Sequence, residues 1–331
     1  MNPLRAVSFH AGLLVLGGVA AGYAWSKDKT PHSAQETNVT VWNARPSDVT
    51  RIVHETKSKR LALEARDEKK GERWYLGRTE FLPQPGANPA VPPPKGSVFV
   101  SVASAQKVVD AFAPLKALRS LGKVPEARAV EFGFDKKETT LSITISGKER
   151  KLVVGGIAPG AGDTYVLDPS SNEAYVLKTD PIRDLEGGEV RMLEHDQHSF
   201  RDLDIASAKV TAGGKTRALS RGGPENKKFW SDPSDKEKAD ETVGNWMQKI
   251  SNLRVNEYVE NVPAGKTVVV RIDYDGPSGN LGYVELSKTP STETSGPKGD
   301  YWIVTEHTHL PGKLLASAGE QVEQDLGSVL K

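Results

Sequence analysis

The 331-residue chain contains no cysteine. That excludes disulfides, thiolate-held metal, a cysteine nucleophile and a lipid-bearing N-terminal cysteine. Neither charge is in surplus: 44 Lys and Arg stand against 43 Asp and Glu, for a net charge of +1. Nucleic-acid binding takes a basic surplus to neutralise phosphate, and here that footprint is missing. No Gly-x-Ser-x-Gly run is present, so a hydrolase of that class lacks its nucleophile turn. Gly214-Lys215-Thr216 and Gly265-Lys266-Thr267 supply only the end of a phosphate-binding loop. Lys209 and Glu260 stand where its first glycine belongs, and both runs lead into predicted strands, so they read as turns. The glycine-rich run Gly155–Gly162 is predicted to join two strands, whereas a dinucleotide loop opens a helix. No cofactor is expected. Apolar residues, at 37%, are plentiful enough for real cores, and the length suits about two domains.

From Ala6 to Trp25 there is no Asp, Glu, Lys or Arg, and only Ser8 and His10 are polar within the run. Twenty helical residues at about 1.5 Å each span about 30 Å, the hydrocarbon thickness of a bilayer. The pattern predicts a cytoplasmic N-terminus at 1–5, a transmembrane anchor at 6–25 and a polar tether at 26–45. Tyr23 and Trp25 lie at the far end, where amphipathic rings favour the headgroup zone. The alternative is a cleaved signal peptide with Arg5 as its n-region, although the run exceeds the 7–15 residues usual for the apolar part. Either reading sends the rest of the chain across a membrane and makes lipid a partner. Gly18 and Gly22 form a GxxxG, a spacing that lets a second helix approach closely.

Beyond the tether the sequence repeats itself. Asp48-Val49, Arg60-Leu61-Ala62-Leu63 and Trp74 are answered by Asp204-Ile205, Arg217-Ala218-Leu219 and Trp230, with the Asp and Trp pairs (48 to 204, 74 to 230) both 156 positions apart. An amphipathic helix follows in each copy. Ser234-Asp235-Lys236-Glu237 reads as a capping box before a stripe of Ala239, Val243, Trp246, Ile250 and Leu253. Val108, Ala111, Phe112, Leu115 and Leu118 form the first copy's stripe, closed by Gly122 and interrupted at Pro114, where a kink or late start is expected. Extra residues in the first copy form a proline-rich loop at 82–94 that prefers extended geometry. Leu141, Ile143 and Ile145 alternate like Val268, Val270 and Ile272, and Asp163–Leu167 resembles Asp300–Val304. Helical material ends each copy, near Pro181–Leu185 and along Leu314–Leu330. The expected fold class is α+β: the membrane helix, then two tandem related modules at 46–190 and 200–331, each an antiparallel sheet covered by a main helix. The charged stretch Glu186–Asp202 forms their junction.

Two histidine-bearing runs test for metal. Glu194-His195-Asp196-Gln197-His198 and Glu306-His307-Thr308-His309 carry imidazoles and carboxylates. Neither has the spacing of a helical metalloprotease motif, and both read as solvated loops, so no metal is expected. Asn38-Val39-Thr40 is a glycosylation sequon, relevant only in a eukaryotic secretory pathway. Trp74 and Trp230 recur at one repeat position and read as core. Tyr301 and Trp302 are adjacent on a predicted strand and so point to opposite faces, which makes one of them an outward candidate for partner contact.

The anchor, the strand pair closing on Trp, the Leu-ending helix and the hairpin Leu152-Val153-Val154-Gly155-Gly156 to Asp163-Thr164-Tyr165-Val166 together resemble one family. Phe132-Gly133-Phe134, between helix and hairpin, adds to the likeness. The chain is similar to domain of unknown function family 4340 over roughly residues 46–330. The proline loop and the strands at Lys209–Leu219 depart from that pattern. The resemblance implies a periplasm-facing protein of the bacterial inner membrane, encoded beside an ABC-type exporter and gliding-motility-like subunits, and it lends no catalytic residue. The expected function is a non-catalytic accessory or scaffold that binds inner-membrane or periplasmic proteins, ABC-type transporter components among them. The alternative is an envelope glycan-binding protein or hydrolase with a site between the modules.

Overall fold

Alternation of apolar and polar residues places most of the strands. The computed structural model describes residues 38–67, 73–84, 94–136, 138–160, 162–224, 227–290 and 299–331. The predicted membrane helix at 6–25, with Gly18 and Gly22, lies outside the described residues, as does 85–93 of the proline-rich loop. Among the described residues no helix is long and apolar enough to cross a membrane.

The chain opens with β1 (Val39–Trp42), β2 (Val49–Glu55), β3 (Lys59–Asp67), β4 (Arg73–Phe81) and β5 (Ser97–Ser101). Helix α1 (Ala103–Phe112) follows, then β6 (Leu115–Ala117), β7 (Arg119–Lys123), β8 (Thr139–Ile145), β9 (Lys148–Ile157), β10 (Thr164–Asp168) and β11 (Glu173–Leu177). Two short helices, α2 (Asp180–Gly187) and α3 (Glu189–Met192), lead into β12 (Ser207–Ala212), β13 (Lys215–Gly222) and β14 (Phe229–Ser231). The chain closes with α4 (Glu241–Ser251), β15 (Glu257–Tyr258), β16 (Thr267–Gly276), β17 (Gly279–Pro290), β18 (Gly299–Thr305), β19 (Gly312–Lys313) and α5 (Ala316–Val329).

Seventeen of these strands form one large sheet, antiparallel throughout. Its pairings run in a single line: β14, β13, β12, β16, β17, β18, β19, β15, β5, β4, β3, β2, β8, β9, β10, β11, β7. The crossing from one half of the chain to the other is made by Tyr258 of β15 opposite Val98 of β5. This corrects the α+β reading of two tandem modules, each with its own sheet covered by a main helix. The fold is mainly β, and hydrogen bonding carries the sheet through both halves. One apolar core does the same, from Val49 and Leu63 through Met192 to Val243, Tyr301 and Val329. A smaller cluster gathers Phe132, Phe134, Val153, Tyr165 and Val176. There Gly133, at a φ of 75°, sits against the backbone of Gly156, and a side chain at Gly155 would strike the Phe132 carbonyl at 2.3 Å.

Three local expectations also change. The last part of the predicted tether at 26–45 joins the fold: β1 pairs with β6, and Trp42 Nε1 donates to the Phe112 carbonyl at 2.8 Å. Helix α1 stops before Pro114, whose missing N–H and ring cannot continue it, so Leu115 and Leu118 leave the stripe and the chain turns into β6 and β7. Helix α4 starts at Glu241 rather than at the Ser234 box. Asp240 caps it, its carboxylate accepting from Val243 N at 3.0 Å, while Ser234 bonds instead to Asp232 in a turn. The Gly213-Gly214 and Gly265 positions are turns, with positive φ, as the sequence predicts.

Two positions yield stability predictions. A Cβ at Gly319 of α5 would lie 2.2 Å from the Tyr301 ring, so the helix packs with its backbone directly on that ring. Gly319→Ala is expected to destabilise by about 1–3 kcal/mol in denaturant unfolding, despite alanine's better helix propensity. His54 of β2 is fully buried, and neither ring nitrogen has a hydrogen-bond partner among the described residues. Burial, helped by the charge of Lys59, pushes its pKa from 6.5 down to about 4. The unfolded chain therefore takes up this proton first, and stability falls as pH drops from 6.5 toward 4. At pH 5 the deficit is about 2 kcal/mol. In His54→Leu, the loss of unfolding free energy between pH 7.5 and pH 5 should shrink by about that amount.

Candidate functional site

The linker between β11 and β12 and the turn after β18 come together as reciprocal pairs. His198 Nδ1 lies 2.7 Å from Glu306 Oε1, and His307 Nε2 lies 3.8 Å from Glu194 Oε2. These four side chains are only 9–17% exposed, so they are buried contacts rather than parts of solvated loops, while His195 and Asp196 of the first run are exposed. The turn positions the second run: Thr305 Oγ1 accepts from His307 N and Thr308 N, while its hydroxyl donates to the Gln197 carbonyl at 2.6 Å. Glu306 lies over Gly282, where a Cβ would meet its carboxylate at 2.2 Å, and its second oxygen accepts from Tyr283 N. His198 also stacks on Phe200 at 4.3 Å and meets the edge of Tyr274 at 5.2 Å.

Glu194 is buried, and burial opposes its charge. The His307 imidazolium and the N–H groups of Asp196 and Ala103 outweigh that and hold its carboxyl down at about 2. Burial likewise works against charge on His307, but Glu194 outweighs it and raises the imidazole above 6.5. The Glu194 contribution to stability is present above its ordinary 4.5 and is lost as pH falls toward 2. That of His307 is present below 6.5 and is lost as pH rises through the raised value. Both act together between pH 4.5 and 6.5. The stability gap between the natural protein and His307→Gln is therefore expected to be largest near pH 5.5 and to narrow by about pH 9, in denaturant unfolding at each pH. A gap independent of pH would contradict the pairing. Among the described residues no three His, Asp or Glu side chains are grouped to hold a metal ion.

A cleft of about 1060 Å³ opens beside the His198–Phe200–Tyr274 cluster. One wall is the linker Asp196–Asp202, another is Phe229 and Trp230 of β14, and a third is the face of α4 carrying Glu241, Gly244, Asn245 and Gln248. Helical spacing of three and four residues puts those α4 positions on one side. At the base, the Arg221 guanidinium lies over the Trp230 ring at 4.7 Å and pairs with Asp202. Asp240 pairs with Arg217 at 2.8 Å. The cleft offers half-buried aromatic faces edged by carboxylates, amides and three further cations, Arg201, Lys228 and Arg254. That set suits recognition of a polar ligand.

The predicted partner contacts lie elsewhere. Tyr301 is 0% exposed and Trp302 3%, so neither faces outward. The α5 backbone at Gly319 covers Tyr301, whose hydroxyl donates to Glu323. Trp302 donates from Nε1 to Thr289 Oγ1 at 3.0 Å and lies beneath Lys313. Strand alternation did put the two rings on opposite faces, but both faces of β18 are covered. Trp74 and Trp230 are buried, with Trp74 stacked on His309. Sequence reasoning missed Phe200, Arg221, Phe229 and Gly244. Gly244, a glycine inside an amphipathic stripe, was the one readable signal among them.

A family model described as domain of unknown function (DUF4340) matches residues 104–269, half of the chain. No curated protein and no solved structure matches.

Proposed function

Starting from the domain of unknown function (DUF4340) family, to which this chain belongs, we propose a non-catalytic, membrane-anchored accessory subunit of an ABC-type transport or gliding-motility-like envelope assembly. It faces the periplasm from the bacterial inner membrane and works by binding other inner-membrane or periplasmic proteins. The association with exporters comes from the family resemblance, and the attachment from the uncharged run Ala6–Trp25. One structural observation supports binding over catalysis: the most buried acids and imidazoles near the cleft are engaged with each other. Glu194 answers His307 and Glu306 answers His198, so each pair ties a linker to a turn instead of presenting a base to a substrate.

The test is purification of the full chain from gently solubilised membranes, with identification of the proteins that accompany it. The reading expects transporter or envelope components in the eluate at levels above those from a membrane lacking the chain. Their absence counts against it.

A further inference from the structure

The cleft beside α4 is left unassigned by the accessory role. Gly244 stands in the fourth position of that helix and lines the cleft. Beyond its chain neighbours and the backbone of its own helix, no atom among the described residues lies within 4 Å of where its Cβ would project. Glycine inside a helix lowers stability relative to alanine. Neither packing nor a positive φ demands it here, and the bare backbone leaves room for a ligand to rest on the helix.

The surroundings narrow the class of ligand. Phe200 and Phe229 are half-buried, leaving apolar ring surface toward the cleft. Around them stand the carboxylates of Asp202 and Glu241 and the amides of Asn245 and Gln248, all exposed. Flat apolar faces within a rim of donors and acceptors complement a pyranose ring, which carries C–H groups on its faces and hydroxyls at its edge. A peptide that adds as a strand needs a free strand edge, and the edge of β14 is closed at Trp230, whose carbonyl accepts from Asp240 N at 2.8 Å. An anion finds its cations offset, since Asp196, Asp202, Asp240 and Glu241 line the same cleft as Arg201, Arg221, Lys228 and Arg254. The cavity volume falls at the upper end of the range for small-ligand sites, enough for more than one ring.

We propose that this cleft binds a short neutral oligosaccharide, stacked on Phe200 and Phe229 over the bare helix at Gly244, with Glu241, Asn245 and Gln248 bonding its hydroxyls. The site lies against the linker and the second half of the sheet. It does not depend on which proteins accompany the chain, so the copurification result neither supports nor removes it.

Calorimetric titration of the full chain with chitotriose, cellotriose and maltotriose tests it, in a polyoxyethylene detergent that carries no sugar. At least one trisaccharide is expected to bind with a Kd below about 1 mM. Gly244→Phe, which fills the open space, should weaken that binding at least about tenfold while the thermal midpoint holds. Asn245→Ala, an exposed change that keeps the helix, should weaken it about threefold to tenfold and serves if the larger side chain disturbs folding. The inference is overturned if none of the three sugars binds at about 10 mM, or if binding survives both variants unchanged. Tighter binding of penta-alanine than of every sugar, lost in Gly244→Phe, would also overturn it and assign the cleft to peptides.

Discussion

Trp246→Ala is expected to lower the free energy of unfolding by about 4 kcal/mol, the largest effect of any single change considered. Trp246 is 1% exposed in the middle of α4, and its Nε1 donates to the Val322 carbonyl of α5 at 3.0 Å. The indole is thus the piece of core that holds the C-terminal helix against the sheet through its neighbour. Truncation removes the transfer energy of the ring and leaves a cavity between two helices that the backbone cannot close. It also takes a partner from a buried carbonyl. Denaturant unfolding of the variant should show the lower midpoint. Native-state amide exchange should speed first in 316–329, because α5 depends on this contact and α4 keeps its own cap at Asp240. A loss under about 1 kcal/mol would mean that α5 is held by other means.

Gln197→Leu should cost about 2 kcal/mol although it removes no charge and little volume. From the linker, Gln197 Nε2 reaches the C-terminal end of α4 and donates to the carbonyls of Ile250 at 2.9 Å and Leu253 at 2.8 Å, with Ser251 at 3.3 Å. Helix ends leave carbonyls short of intrahelical partners, and here a side chain 53 residues away in sequence adds a donor to those that Leu253 N and Arg254 Nη1 also reach. Leucine fills the space but removes the amide donor from all three; Ile250 O keeps Leu253 N at 3.1 Å and the Ser251 and Leu253 carbonyls keep Arg254 Nη1 at 2.9 Å, so the cost is that of the lost bonds and not of fully unpaired acceptors. Gln197→Glu separates shape from donation: it keeps the volume and replaces the donor with an oxygen, so it should destabilise at least as much. If leucine were tolerated within about 0.5 kcal/mol, the linker would be a spacer and not a clasp.

These residues also show what the sequence revealed and what it hid. Alternation found β3 at Leu61 and Leu63, β8 at Leu141, Ile143 and Ile145, and β16 at Val270 and Ile272, because pleated strands with one buried face impose that period. The spacing of Val243, Trp246 and Ile250 found α4 for the same kind of reason. Even the Arg45–Asp48 and Arg201–Asp204 clasps, each closing a 3-10 turn, stand 156 positions apart like the tryptophans. What periodicity leaves out is which strand edge meets which. Tyr258 opposite Val98 pairs residues 160 positions apart through a two-residue strand with no alternation of its own, and that contact turns two expected sheets into one. The site was hidden for a related reason. Glu194, His198, Glu306 and His307 were visible as two polar runs, but local sequence cannot show that they pair with each other across the fold. Polarity read them as exposed, and pairing made burial possible. Tyr301 failed from the opposite side: its strand was right, and the helix that buries it lies at a glycine whose role only packing reveals.

Continuity between the halves is the claim on which the rest depends, and hydrogen exchange followed across a denaturant series tests it most directly. Sheet, core and linker clasp all cross from one half to the other, so the strongly protected amides of β2, β3 and β8 should open in the same global transition as those of β12, β16 and β17. Exchange in both groups should converge on one free energy and one denaturant dependence. Two transitions, with one half losing protection while the other keeps its own, would contradict a single folded unit and return the chain to a pair of separate modules.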